Sequence, residues 1–227
     1  MNLPPDEDID VHVVSLGTRD IPAILALENV CWLPAIRADE QTLRKRFGLG
    51  HIMLGLLAGD ALLGIVSFSY TLSSPEKAIG LPQTFREFSN RTMAPEYNTA
   101  FAYNLNIHPR ARRGNLTMKL IQAGLSRMRK DGCRYVLGAG RCPSYNGSLA
   151  GGIEIIPPAP DFRRSIDKCV QTGKLPAPEE LLVDPILRFY RRALDCEFLR
   201  VIPGFLPGDS ASGGFGVIFY KMLDPVV

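Results

Sequence analysis

The segment Leu105-Asn106-Ile107-His108-Pro109-Arg110-Ala111-Arg112-Arg113-Gly114-Asn115-Leu116-Thr117-Met118-Lys119-Leu120 decides how the rest of the chain reads. An apolar strand ends at Pro109, because proline cannot continue a ladder and biases His108 away from helix. A loop with three arginines follows, and a helix opens behind it on small and polar residues. The first backbone N–H groups of a helix have no partner inside it. With the positive end of the helix dipole and the arginines, they form an anion site. Small side chains at Gly114, Asn115 and Thr117 let a phosphate approach the backbone closely. A pyrophosphate is the natural ligand.

Outward from this segment, residues 97–107 read as a strand, 114–130 as an amphipathic helix with Leu116, Leu120, Leu125 and Met128 on one side, and 135–139 as a short strand. A helical crossover makes the two strands parallel. Upstream, residues 11–16 alternate as a half-buried strand. A helix follows Thr18, with Ile21, Ile24, Leu25 and Cys31 on its apolar face, and ends before Pro34; a second spans Asp39 to Phe47. The apolar runs 51–58 and 61–70 flank Gly59-Asp60, a hairpin signal. Downstream, a helix is expected over 179–194, and strands over 197–202 and 216–222. Residues 71–98, with one helix at 82–91, and 143–178, with one helix at 161–172, read as insertions.

Composition bounds the rest. The chain has 227 residues, 46% hydrophobic and 22% charged, which is enough apolar content for a sizeable core and excludes disorder, coiled coil and collagen as whole-chain descriptions. The longest apolar stretch, 52–66, is broken by Gly59-Asp60 and falls short of the roughly 20 residues that span a bilayer. The N-terminus carries four acids and no basic region, unlike a secretory signal, so a cytoplasmic location is expected. The expected organisation is an acidic flexible tail over 1–10 and one domain over 11–227. Net charge is +3, and those four acids leave +7 on the remainder: enough for an anionic small ligand, less than a nucleic-acid binder usually shows. Five scattered cysteines without CxxC spacing argue for reduced thiols and no metal site.

Residues 105–117 resemble the hallmark of the GNAT acetyltransferase superfamily, a strand ending Leu-x-Val-x-Pro followed by Arg/Gln-x-x-Gly-x-Gly/Ala at a helix start. Leu105-x-Ile107-x-Pro109 fits the strand, and Arg112-x-x-Asn115-x-Thr117 the loop, with Asn115 and Thr117 where the hallmark has glycine or alanine. The element order also resembles GNAT over nearly the whole chain. The resemblance implies an α/β (α+β) fold: a mixed, mostly antiparallel central sheet with a parallel pair at the cofactor site and flanking helices. It implies that Leu105 and Ile107 line the thioester of acetyl-CoA or another acyl-CoA, and that Arg112, Arg113, Gly114, Asn115, Leu116 and Thr117 hold its pyrophosphate.

Residues 141–145, 184–190, 201–209 and 214–220 further resemble the GNAT branch that contains the decarboxylating loading domains of polyketide synthases. Those domains carry a Thr before an Arg-Cys pair, a His after an Arg-Phe pair, and an Arg after a Pro-x-aromatic turn; here these positions are Gly140, Tyr190 and Leu206. Ordinary acyl transfer then remains, from CoA or a phosphopantetheine carrier to a small-molecule acceptor or an acyl carrier protein, by a monomer or homodimer without metal, nucleic acid or membrane. By resemblance, Tyr190 would protonate the leaving thiolate. A backbone N–H near Leu105 or Asn106 would polarise the carbonyl. No carboxylate sits on strand 100–107, so Asn104 and Asn106 are left to orient a water. Cys142, beside Arg141, is a candidate for a covalent acyl-enzyme. A non-catalytic CoA-binding or partner-binding module and a malonyl-CoA decarboxylase are the alternatives.

Overall fold

The computed structural model describes residues 10–71, 84–112, 115–148 and 156–224. The sequence expectations for Arg113 and Gly114, and for most of the acidic tail, lie outside them. Strands β1 (Val11–Ser15), β2 (Ile52–Ala58), β3 (Ala61–Thr71), β4 (Thr99–Ile107), β5 (Tyr135–Gly140), β6 (Glu197–Ile202) and β7 (Gly216–Met222) form one sheet in the order β1-β2-β3-β4-β5-β7-β6. Only β4 and β5 pair in parallel; the other neighbours are antiparallel. The expected mixed sheet with one parallel pair is therefore present.

Helices cover both faces, as a sheet with two apolar faces requires. On one face lie α1 (Ile21–Cys31), α2 (Glu40–Gly48) and the short α3 (Phe85–Ser89). Here Ile24, Leu43, Met53 and Ile65 form one buried cluster, and Phe88, Phe101, Leu137 and Ile218 another. On the opposite face α4 (Leu116–Lys130) packs over the β2–β4 half, where Leu120, Val66, Phe68 and Ile107 are buried together. The β5–β7 half of that face is covered by α7 (Pro185–Leu194) and α5 (Pro160–Thr172), with Leu187, Phe162, Ile166, Val201 and Val217 at its centre. No helix among the described residues is long and apolar enough to cross a membrane.

Two expectations are corrected. The helix expected over 179–194 is two, α6 (Pro178–Leu181) and α7, because the buried Asp184 carboxylate accepts from the N–H groups of Ile186 (2.9 Å) and Leu187 (3.2 Å) and starts a new helix at Pro185. The same carboxylate accepts from Ser144 N–H at 2.8 Å, which ties the expected insertion to this helix start. Within 82–91 the described helix is only α3, opened by a reciprocal Thr84/Glu87 capping box.

Candidate active site

The site begins with a fault in the sheet. Opposite β3, Ser67 pairs with Asn104 but Phe68 pairs with Ala102, so Tyr103 is an extra residue on β4. Such a bulge bends its strand and raises the local twist. The parallel pairing with β5 runs only from Thr99/Tyr135 to Ala102/Gly138 and stops at the bulge. Beyond it β4 and β5 diverge, and the gap opens into a cavity of about 1470 Å³ lined from both faces of the sheet.

Main-chain direction in the gap follows from strand alternation. His108 N–H donates to the Leu63 carbonyl at 2.7 Å, so residue 108 faces β3. The Ile107 carbonyl instead accepts from Arg112 Nε at 3.2 Å and Cys31 Sγ at 3.4 Å, on the other side. Two residues earlier, Leu105 has the same sense as Ile107, which turns its N–H and C=O into the gap. The side chains of Leu105 and Ile107 pack on the α4 face, and both residues line the cavity. Asn104 and Asn106 fall on the α1 face.

The segment expected to bind a pyrophosphate borders the same cavity through its described residues. Asn115 stands at the N-cap of α4 without a side-chain cap bond, and no acid occupies the first turn. Arg112 and Thr117 line the cavity, with Leu116 between Asn115 and Thr117 packed against the core. His108 Nδ1 accepts from Arg110 N–H at 3.2 Å, and partial burial beside Arg110 and Arg112 holds its imidazole below the usual histidine range. It stays neutral near physiological pH.

Across the gap, Tyr190 on α7 lies against the end of β5. Its ring stacks on Phe219 with centroids 4.3 Å apart and an interplanar angle of 30°. Two glycines make room. Phe219 is paired with Gly138, where a Cβ would meet the Phe219 ring at 2.4 Å, and a Cβ on Gly140 would meet Tyr190 at 3.4 Å. The Tyr190 hydroxyl bonds to no described residue, and burial pushes the phenol up to about 12. Gly140, Tyr190 and Leu206 all line the same cavity.

Cys142 is corrected. Its side chain is completely buried in the cluster with Phe162, Leu187 and Val217, away from the cavity lining, and burial together with Asp184 and Asp209 pushes its thiol far above the ordinary range. A buried, uncharged thiol is no nucleophile. The neighbouring Arg141 does reach the cavity: it forms a bidentate pair with the fully buried Asp209 (Nε–Oδ2 and Nη2–Oδ1, both 2.6 Å) and lies 5.3 Å over the Trp32 ring.

Two residues that the sequence reading left out stand on the α1 face of the cavity. Glu28, 2% exposed, accepts from Asn104 Nδ2 (2.9 Å) and Asn106 Nδ2 (2.5 Å) on one oxygen and from Ala38 N–H (3.0 Å) on the other. A buried carboxylate of α1 is thus hydrogen-bonded to two β4 side chains. Its signal was in the sequence: Ile21, Ile24, Glu28 and Cys31 share one helical stripe, and an acid on a core-facing stripe needs a partner. Arg46, 5% exposed, donates to Ser89 Oγ (2.9 Å) and Asn90 Oδ1 (3.4 Å) and lies 4.8 Å over the Tyr103 ring.

No protein-family model and no curated protein sequence matches the chain. Solved structures do match over nearly its whole length. It superposes on the loading GNATL domain of CurA from Lyngbya majuscula with a TM-score of 0.71, at 18% identity, covering 94% of this chain and 98% of that one. For the GphF GNAT-like decarboxylase in complex with isobutyryl-CoA the TM-score is 0.69, at 21% identity, covering 94% and 100%. The ribosomal-protein-S18-alanine N-acetyltransferase from Escherichia coli gives 0.57, at 12% identity, covering 96% and 97%. The chain has the GNAT fold.

Proposed function

We propose that this chain, built on the GNAT fold, transfers a short acyl group from an acyl-CoA, or from the phosphopantetheine arm of a carrier protein, to a nucleophilic acceptor by direct attack. The observation that carries the reading is the β4–β5 gap: a split sheet whose cavity reaches the α4 N-terminus on one face and a buried carboxylate on the other. A decarboxylase of this fold was captured with isobutyryl-CoA, which supports an acyl thioester as the ligand.

In this reading the α4 N-terminus (Asn115, Leu116, Thr117) and Arg112, with Arg113 and Gly114 beside them, bind the pyrophosphate. Leu105 and Ile107 flank the thioester, and the Leu105 N–H donates to its carbonyl and then more strongly to the developing oxyanion. Asn106 orients Glu28, whose carboxylate takes the proton that the attacking group loses. Tyr190 returns a proton to the leaving thiolate; with its pKa raised, the phenol is fully protonated over any working pH. The positions that carry Thr, His and Arg in the loading domains are Gly140, Tyr190 and Leu206 here, which offer no imidazole or guanidinium, so decarboxylation is the weaker reading.

The test is thiol release from acetyl-CoA with amine and carrier-protein acceptors, beside carbon dioxide release from malonyl-CoA. Acceptor-dependent thiol release is expected. Tight CoA binding without release would leave a non-catalytic binding module, and carbon dioxide from malonyl-CoA would establish the decarboxylase.

A further inference from the structure

Glu28 and Arg46 are an unusual pair of buried charges. Each lines the cavity, and neither has an ionic partner among the described residues. Glu28 accepts only from two neutral amides and one backbone N–H, and Arg46 donates only to a hydroxyl and an amide oxygen. A charge that deep costs several kcal/mol unless it is compensated, and the two do not compensate each other by contact. A third group is also unsatisfied: Asn106 Oδ1 is buried and accepts from nothing. It lies beside the Glu28 carboxylate, since the nitrogen of the same amide donates there.

The strand orders these groups. Glu28 and Asn106 Oδ1 stand at β4 positions 104 to 106, beside the Leu105 main chain in the gap. Arg46 stands over Tyr103, on the side away from the strand end. An anion with a free acceptor oxygen beside Leu105, and a cation on the Tyr103 side, therefore line one cavity.

We propose that the acceptor is a zwitterion, an amine that also bears a carboxylate. Its ammonium meets Glu28 and Asn106 Oδ1, and its carboxylate meets Arg46. The inference rests on the acyl-transfer reading for the amine's fate but not for its binding. A zwitterion gives both the unpaired anion and the unpaired cation of the α1 face a counter-charge from one ligand. Orientation follows, because the amine enters on the Glu28 side and so faces the carbonyl held at Leu105. Glu28 first takes one ammonium proton and releases it to solvent, which leaves a neutral amine; as the N–C bond forms and the C–S bond breaks, Glu28 takes the second proton, Tyr190 protonates the sulfur, and the proton on Glu28 returns to the tyrosinate through solvent.

The experiment is calorimetric titration of the full chain, with and without CoA, using glycine, leucine, phenylalanine and γ-aminobutyrate. Each is matched by its amide, which lacks the carboxylate, and by its deaminated acid, which lacks the amine. At least one zwitterion should bind tenfold or more tightly than both of its truncated partners. In Arg46→Gln the preference for that zwitterion over its amide should collapse toward one, while its preference over the deaminated acid persists; Glu28→Gln should do the reverse. A purely structural role would weaken all three ligands together. The wild-type series alone decides the matter if either variant fails to fold: equal affinity for an amide or a deaminated acid, or no zwitterion bound, overturns the inference. CoA binding without zwitterion binding sinks only this proposal, and zwitterion binding with neither CoA nor phosphopantetheine bound sinks the acyl-transfer reading instead.

Discussion

Replacing Tyr190 by phenylalanine removes a single atom from the site. The ring is held by its stack on Phe219 at 4.3 Å and by the close approach of Gly140, both of which phenylalanine keeps. The hydroxyl has no described hydrogen-bond partner, so its loss orphans no buried group, and the stability change should stay within about 0.5 kcal/mol. CoA affinity should also hold, because the proposed pyrophosphate site lies across the gap at α4. Turnover should not. Loss of a positioned proton donor costs roughly 10² to 10⁴ in rate, or about 3 to 5 kcal/mol at 1.36 kcal/mol per decade. Because burial pushes the phenol up to about 12, the wild type keeps its donor protonated, and no loss of rate from this group should appear below about pH 11. The assay follows thiol release from acetyl-CoA with the best acceptor found by screening, beside calorimetry for CoA and thermal unfolding for both proteins. Turnover within twofold of wild type would remove Tyr190 from the mechanism. A fall in stability above about 1.5 kcal/mol would show instead that the hydroxyl has a structural partner.

Arg112→Ala should weaken CoA binding by about 1.5 to 3 kcal/mol, roughly ten- to a hundredfold in Kd, and an unchanged affinity would count against pyrophosphate at this loop. Asp209→Ala leaves the Arg141 guanidinium without its carboxylate, and urea unfolding should register a loss near 3 kcal/mol, because Arg141 retains some solvent while Asp209 is fully buried. His51 hydrogen-bonds the Tyr103 hydroxyl through Nδ1 (2.9 Å) and the Arg91 carbonyl through Nε2 (2.6 Å), and burial above all, with Arg46 nearby, depresses its pKa and favours the neutral ring. Since the unfolded chain takes up that proton near pH 6.5 and the fold resists it, stability is present above that pH and is lost as pH falls through the lower folded value. His108 is depressed in the same direction. Unfolding free energies across that range should decline with acid, with a flatter slope in His51→Gln and a flatter one still when His108→Gln is added.

The element order was legible because its signals are local. Pro109 ends β4, Gly59-Asp60 closes the hairpin, and the periodicity of 114–130 marks α4; each needs only neighbours in sequence. The boundary at Asp184 was harder, since the apolar period runs on through it, and what breaks the helix is a cap whose carboxylate also reaches Ser144, 40 residues away. Cys142 misled for a related reason. Beside Arg141 in sequence it resembles an activated thiol, but alternate residues at a strand end point to opposite sides, so Arg141 faces the cavity while Cys142 is buried.

Local sequence signals sufficed for the fold: the order of strands and helices, and the parallel pair that a helical crossover imposes. Which side chains meet around the cavity depends instead on long-range packing. A one-residue bulge at Tyr103 splits β4 from β5, and it brings Glu28 of α1, Arg46 of α2 and Tyr190 of α7 around one cavity. Those three positions are separated by long stretches of chain, and a charge is costly or useful only according to what surrounds it once folded. Glu28 in isolation is one more surface-type acid; on the buried stripe of α1, against two asparagines and with no cation in contact, it becomes a buried carboxylate lining the cavity.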